Sequence, residues 1–193
     1  MMKSKVLLFF FSLMYCLTLM AQTKNEREIR ISEDEFPSSA YSRLVPYLTN
    51  SKHLRFYQEK DGDKLSYEAK FKSGKIHYSV EFDAHGVLED VEYIIEEIDI
   101  PDASWEVMQV YLNSKFSRYR IKKIQQHYPN IGSAQTTLKN AFQNLLTKEI
   151  RYEMIVAFRT KKGFKEIEIL FNAAGQHLNS RESIPQKYDY VRY

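Results

Sequence analysis

The sequence predicts an α+β fold in which one unit, a helix followed by antiparallel strands, occurs twice. Three observations carry this reading. Apolar and polar residues alternate strictly through Leu65, Tyr67, Ala69, Phe71 and Ile76, Tyr78, Val80, Phe82, and again through Ile150, Tyr152, Met154, Val156, Phe158 and Ile167, Ile169, Phe171. Such period-two patterning marks strands with one buried and one wet face. A proline-led helical spacing precedes each set: Pro37 with Tyr41, Leu44, Tyr47 and Leu48, and Pro101 with Trp105, Met108, Tyr111 and Leu112. Finally, Asn50-Ser51-Lys52 matches Asn113-Ser114-Lys115, Tyr67-Glu68 matches Tyr152-Glu153, and Phe82-Asp83-Ala84-His85-Gly86 matches Phe171-Asn172-Ala173-Ala174-Gly175, all in the same order. Ordered self-similarity of this kind signals a tandem duplication.

The elements follow in chain order. Lys3 and Lys5 precede an apolar run from Val6 to Ala21, and polar residues begin at Gln22. A basic start, a short apolar stretch and a small residue at its end describe a secretory signal peptide cleaved after Ala21. The run is about 16 residues, shorter than the ~20 that span a bilayer, so no stable membrane insertion is expected after cleavage. Cys16 is a poor lipoprotein cysteine because bulky Tyr15 precedes it. The first repeat is assigned to 22–96 and the second to 97–193. In the first, Pro37 opens a helix that Pro46 should kink or shorten. Strands then run through Leu54–Glu59, Leu65–Phe71, Ile76–Phe82 and Val87–Ile95, with turns at Asp61-Gly62-Asp63, Ser73-Gly74 and Asp83–Gly86. The second repeats this order. It also carries extra residues between helix and hairpin, where Ala134, Leu138, Ala141, Phe142, Leu145 and Leu146 predict an inserted amphipathic helix over about 133–147.

Composition and motifs restrict the chemistry. The 193 residues include 14 Tyr, 12 Phe and one Cys, with a formal net charge of +3. Removing the signal segment discards the cysteine and lowers the charge to +1, which leaves no disulfide, no thiol nucleophile and no argument for nucleic acid. The basic cluster Arg118, Arg120, Lys122, Lys123 is expected on a solvated strand edge. His53, His77, His85, His127 and His177 show no metal-ligand spacing, and neither Glu33-Asp34-Glu35 nor Asp61-Gly62-Asp63 supplies a calcium loop. There is no Gly-x-Ser-x-Gly elbow and no phosphate loop. No catalytic residues, cofactor or metal site are therefore assigned, and the protein is not expected to be an enzyme.

The pattern of a signal peptide, a proline-led helix, a Tyr-Glu strand, a hairpin and a Phe-Asp-x-x-Gly turn, given twice, resembles the PepSY-like family. The residues that carry it are Tyr67–Leu88 and Tyr152–Leu178, supported by Pro37–Leu48 and Pro101–Leu112. The resemblance implies a fold similar to the β-lactamase inhibitor protein, a periplasmic or secreted location, and a non-catalytic role that includes peptidase inhibition. Asn172 in place of the turn aspartate and the inserted helix depart from the pattern.

The expected function is a periplasmic or secreted non-catalytic protein-binding module, either peptidase-inhibitor-like or an envelope regulatory protein, with an unidentified protein partner in the cell envelope. The outer face of the second repeat carries more apolar residues than that of the first, either as the ordinary scatter of exposed apolar side chains or as a contact surface. Ile155 and Leu170 on that face, with Tyr78, His85, Tyr93 and Phe164 near the hairpin loops, are the candidate partner contacts. The alternative is a small-ligand carrier with a pocket between the inserted helix and the second sheet.

Overall fold

The computed structural model describes residues 26–183; the expected signal peptide and the end of the expected second repeat lie outside them. Among the described residues a single antiparallel sheet of nine strands runs in chain order, each strand paired with the next. The strands are β1 (Glu26–Ile31), β2 (Ser51–Asp61), β3 (Lys64–Ser73), β4 (Ile76–Asp83), β5 (Leu88–Ile95), β6 (Tyr119–Pro129), β7 (Arg151–Thr160), β8 (Gly163–Asn172) and β9 (His177–Ser183). The helices are α1 (Ser38–Leu44), α2 (Asp102–Lys115) and α3 (Ala134–Phe142). Ala40 and Leu44 of α1, Met108 and Leu112 of α2, and Leu138 and Ala141 of α3 join one core with the inward residues of the sheet, so all three cover the same face.

Local chemistry sets the helix ends. Pro37 and Pro101 stand at the N-cap positions, each behind a short 3-10 turn closed by a carboxylate. The Ser32 amide donates to Glu35 (2.8 Å) before the first, and the Glu96 amide donates to Asp99 (2.8 Å) before the second. Pro46 converts the end of the first helix into a 3-10 turn over Val45–Tyr47, as its missing N–H demands. Helix α3 stops at Phe142, earlier than its apolar spacing predicts, because Asn144 takes a left-handed φ of 51°.

Registered rows of inward side chains make the core. One crosses Phe71, Tyr78, Tyr93, Gln126, Tyr152 and Phe171, and another crosses Ile95, Ile124, Met154 and Ile169. The β4–β5 and β8–β9 turns are built alike. Asp83 Oδ1 accepts from the amides of His85 (2.8 Å) and Val87 (2.9 Å), and Asn172 Oδ1 accepts from those of Ala174 (3.0 Å) and Gln176 (2.9 Å). Each turn holds a helix start: Ser39 Oγ donates to the His85 carbonyl (3.4 Å) and Ser104 Oγ to the Ala173 carbonyl (2.8 Å).

Two expectations are corrected. Residues 119–129 form a central strand between β5 and β7, not a solvated edge. A register shift between Ile121 and Lys123 and the inward, buried Gln126 hide its alternation. The strands also belong to one sheet, because β5 pairs directly with β6.

Candidate functional site

Among the described residues one face of the sheet carries no helix, and its residues are largely charged. Strand parity places Glu28, Asp61, Glu68, Lys70, Glu81, Asp90, Glu92, His127, Glu153, Glu168 and Arg181 on it. This face is concave. Strands β2 and β9 stand seven positions apart in the sheet, roughly 33 Å if it were flat. Yet Arg181 Nη1 on β9 lies 3.5 Å from Asp61 Oδ2 at the end of β2. Only strong coiling of the twisted sheet brings those opposite corners together. The polar face is thus a trough bridged by one ion pair.

Ion pairs line the trough. Lys70 Nζ sits 2.6 Å from Glu28 and 2.9 Å from Glu68, whose other oxygen accepts from Ser79 Oγ. Lys64 reaches Glu89 (2.7 Å) and Glu81 (3.3 Å), and Arg181 grips Glu168 through Nε (3.0 Å) and Nη2 (2.7 Å). Glu168 is only 5% exposed, so this two-point contact satisfies a charge that burial would otherwise penalise. Burial holds the Glu28 carboxyl above its ordinary range in spite of Lys70. The Lys70 ammonium is disfavoured by burial, but Glu68 and Glu28 outweigh that and raise its pKa.

A second grouping lies on β5 and β6. Asp90 and Glu92 are two residues apart on one strand face, and His127 is the register partner of Glu92. His127 Nε2 is 3.4 Å from Asp90 Oδ2, and the Gln125 amide donates to Glu92 Oε2 at 2.6 Å. Burial tends to lower the His127 pKa, but Asp90 first, then Glu92 and Glu153, push it up to about 9. Burial raises the Asp90 carboxyl. Sequence spacing could not reveal this group, because the histidine comes from another strand; an Asp-x-Glu on a strand facing a His strand is the signal that could have.

The structure brings three of the six expected contact residues to this face. Phe164 lies at the rim opposite Arg159 and is 68% exposed, and Leu170 is half-buried beside Glu153. Ile155 also belongs to this face by register but is 1% exposed, so it offers a partner almost no surface. Tyr78 and Tyr93 are corrected outright: both point inward and are buried. Tyr78 packs on Phe142 of α3 at 4.7 Å, and the Tyr93 hydroxyl donates to Asn144 Oδ1 and meets that of Tyr128 at 3.0 Å. His85 is exposed at the β4–β5 turn against α1, away from the other three in the fold. The space where a pocket is expected, between the inserted helix and the strands beneath it, is occupied. Helix α3 lies over β5 and β6, and Phe142 fills the space beneath by stacking on Tyr47 (4.3 Å) and Phe71 (6.0 Å).

No protein-family model matches this sequence, and no curated protein matches it. Solved structures do. A DUF2874 family protein from Bacteroides uniformis is similar over 76% of this chain and 88% of its own, at 14% identity and a TM-score of 0.53. A BLIP-like protein from Bacteroides fragilis covers 81% of this chain and 94% of its own, at 14% identity and a TM-score of 0.50. A DUF2874 family protein from Bacteroides ovatus covers 81% and 93%, at 9% identity and a TM-score of 0.53. These likenesses support the BLIP-like fold that the sequence resemblance implied, and they do not extend to membership of the PepSY-like family.

Proposed function

We propose that the protein is a non-catalytic binding module of the bacterial envelope that receives a protein partner along its uncovered trough and rim. The carrying observation is the curled, charged sheet face bridged by Arg181 and Asp61, with Phe164 exposed at its edge. A concave sheet with fixed charges and an aromatic at the rim suits a protein surface, where aromatic residues anchor and charge complementarity selects. An envelope location is supported by the amino-terminal signal pattern and by similarity to a Bacteroides eggerthii structure described as a candidate periplasmic protein (14% identity, TM-score 0.51). Cleavage after Ala21 gives a mature chain that starts at Gln22, which intact-mass measurement of the exported protein reads directly.

The same reading includes the tandem duplication. The paired turns at Asp83 and Asn172, the paired carboxylate-closed 3-10 turns and the matched docking hydroxyls of Ser39 and Ser104 support it. Helix α3 then occupies the β6–β7 connection, where the first repeat has only the tight β2–β3 turn.

The test is capture from an envelope extract with wild-type protein, Phe164→Ala, Leu170→Lys and Val110→Lys. Val110 is 71% exposed on α2, on the opposite side of the sheet. The reading expects one specific protein retained by wild type and Val110→Lys and lost from both trough variants. Retention by all four alike, or by none, would overturn it.

A further inference from the structure

We propose that Asp90, Glu92 and His127 form a binding site for a single divalent transition-metal ion, zinc by preference. This goes beyond the partner-binding reading and does not depend on it. Two residues apart on β5, the carboxylates project from the same face, and the β5–β6 register sets the imidazole directly across from Glu92. Their donor atoms all lie within 4.8 Å of one another. The shortest pair, Asp90 Oδ2 and His127 Nε2, is 3.4 Å apart. Two donors bonded to one zinc ion at ~2.0–2.1 Å with a tetrahedral angle stand about 3.4 Å apart.

A buried polar side chain beside the group adds a second observation. Gln125 is 7% exposed, and its amide lies against Glu92 through Nε2, yet its buried Oε1 has no hydrogen-bond partner. Buried polar atoms are normally satisfied, so an orphan at this carboxylate-rich spot is unexpected in a purely structural ion pair. Gln125 has the role that outer-shell residues take at metal sites, fixing the orientation of a ligating carboxylate.

The donor set selects the ion. Calcium takes six to eight oxygen ligands, which one imidazole and two carboxylates do not provide. Imidazole with carboxylates suits zinc and neighbouring first-row ions, with one coordination position left for water or a partner's side chain. Glu81, opposite Asp90, and Glu153, opposite Gln125, add negative potential, whereas Arg151, opposite His127, opposes it.

Calorimetric titration of Zn2+ into untagged, chelator-stripped protein tests the proposal, with Co2+ absorption as a second readout. One equivalent should bind per chain. Gln125→Leu should weaken binding by about 10–100-fold. His127→Ala and Glu92→Gln should abolish it, and His177→Ala on exposed β9 should leave it unchanged. Glu92→Gln preserves shape, so it remains informative if His127→Ala fails to fold. No saturable binding to wild type, or binding retained in Glu92→Gln, would overturn the proposal. Because no partner is present, neither result bears on partner capture.

Discussion

Substituting Gly175 by alanine should destabilise the protein far more than the same change at Gly74, although both glycines occupy hairpin turns. Both have positive φ, 78° and 60°, where an alanine costs about 1–2 kcal/mol. Nothing lies within 4 Å of a Cβ at Gly74, so the backbone term stands alone there. At Gly175 the new Cβ would fall 2.1 Å from the Ser104 carbonyl oxygen, a backbone atom in the first turn of α2 that cannot rotate away. The helix start must shift, which breaks the 2.8 Å bond from Ser104 Oγ to Ala173, worth about 1 kcal/mol. Displacing Met108 and Leu112, both 0% exposed, adds about 1–3 kcal/mol of misfit. Gly175→Ala should therefore lose about 3–6 kcal/mol and Gly74→Ala about 1–2. Gly86→Ala should fall between them, since the atom its Cβ meets at 2.2 Å is the rotatable Ser39 Oγ. Urea unfolding followed by circular dichroism reads all three, given unchanged slopes. Equal losses at Gly74 and Gly175 would refute the claim that the β8–β9 turn carries the start of α2.

Three further outcomes are expected. Phe142→Ala should cost about 2–4 kcal/mol in the same assay, because it removes the ring on which Tyr47, Phe71 and Tyr78 pack. Tyr152→Phe should be neutral or stabilising by up to about 1 kcal/mol, since its buried hydroxyl has no partner to lose. At Asp83, amide donation from Val87, joined by that from His85, outweighs the opposing effect of burial and holds the carboxyl below its ordinary range. Its contribution is thus present above the unfolded carboxylate pKa and fades as pH falls through the folded value. In an acid titration of stability, Asp83→Asn should flatten the low-pH limb while retaining the turn, as Asn172 does in its own turn.

How far the fold was legible depended on how cleanly each segment displayed its period. β3, β4, β7 and β8 alternate without interruption and are legible in the sequence, as are the glycine turns and the proline-led helices. β6 was misplaced because Gln126 stands where an apolar residue is expected and a bulge near Lys123 breaks the count. Its burial is decided by neighbours on β5 and β7, which no local pattern records. The same limit applies to the site. Tyr78 and Tyr93 lie close to hairpin loops in sequence, yet parity turns them toward α3, and Asn144 satisfies the Tyr93 hydroxyl from 51 residues away. The trough itself depends on sheet coiling, a sum of small twists over many strands. Its clearest trace in sequence is the wet face of β7 and β8, where Leu170 and Phe164 stand among charged residues.

A photo-reactive amino acid at position 164, compared with the same residue at position 110, tests the central claim most directly. Irradiating cells that express each variant reports which face of the sheet is occupied in the envelope. The account predicts a discrete cross-linked protein from the trough rim and none from the exposed surface of α2. An adduct formed equally from both positions, or only from position 110, would contradict it.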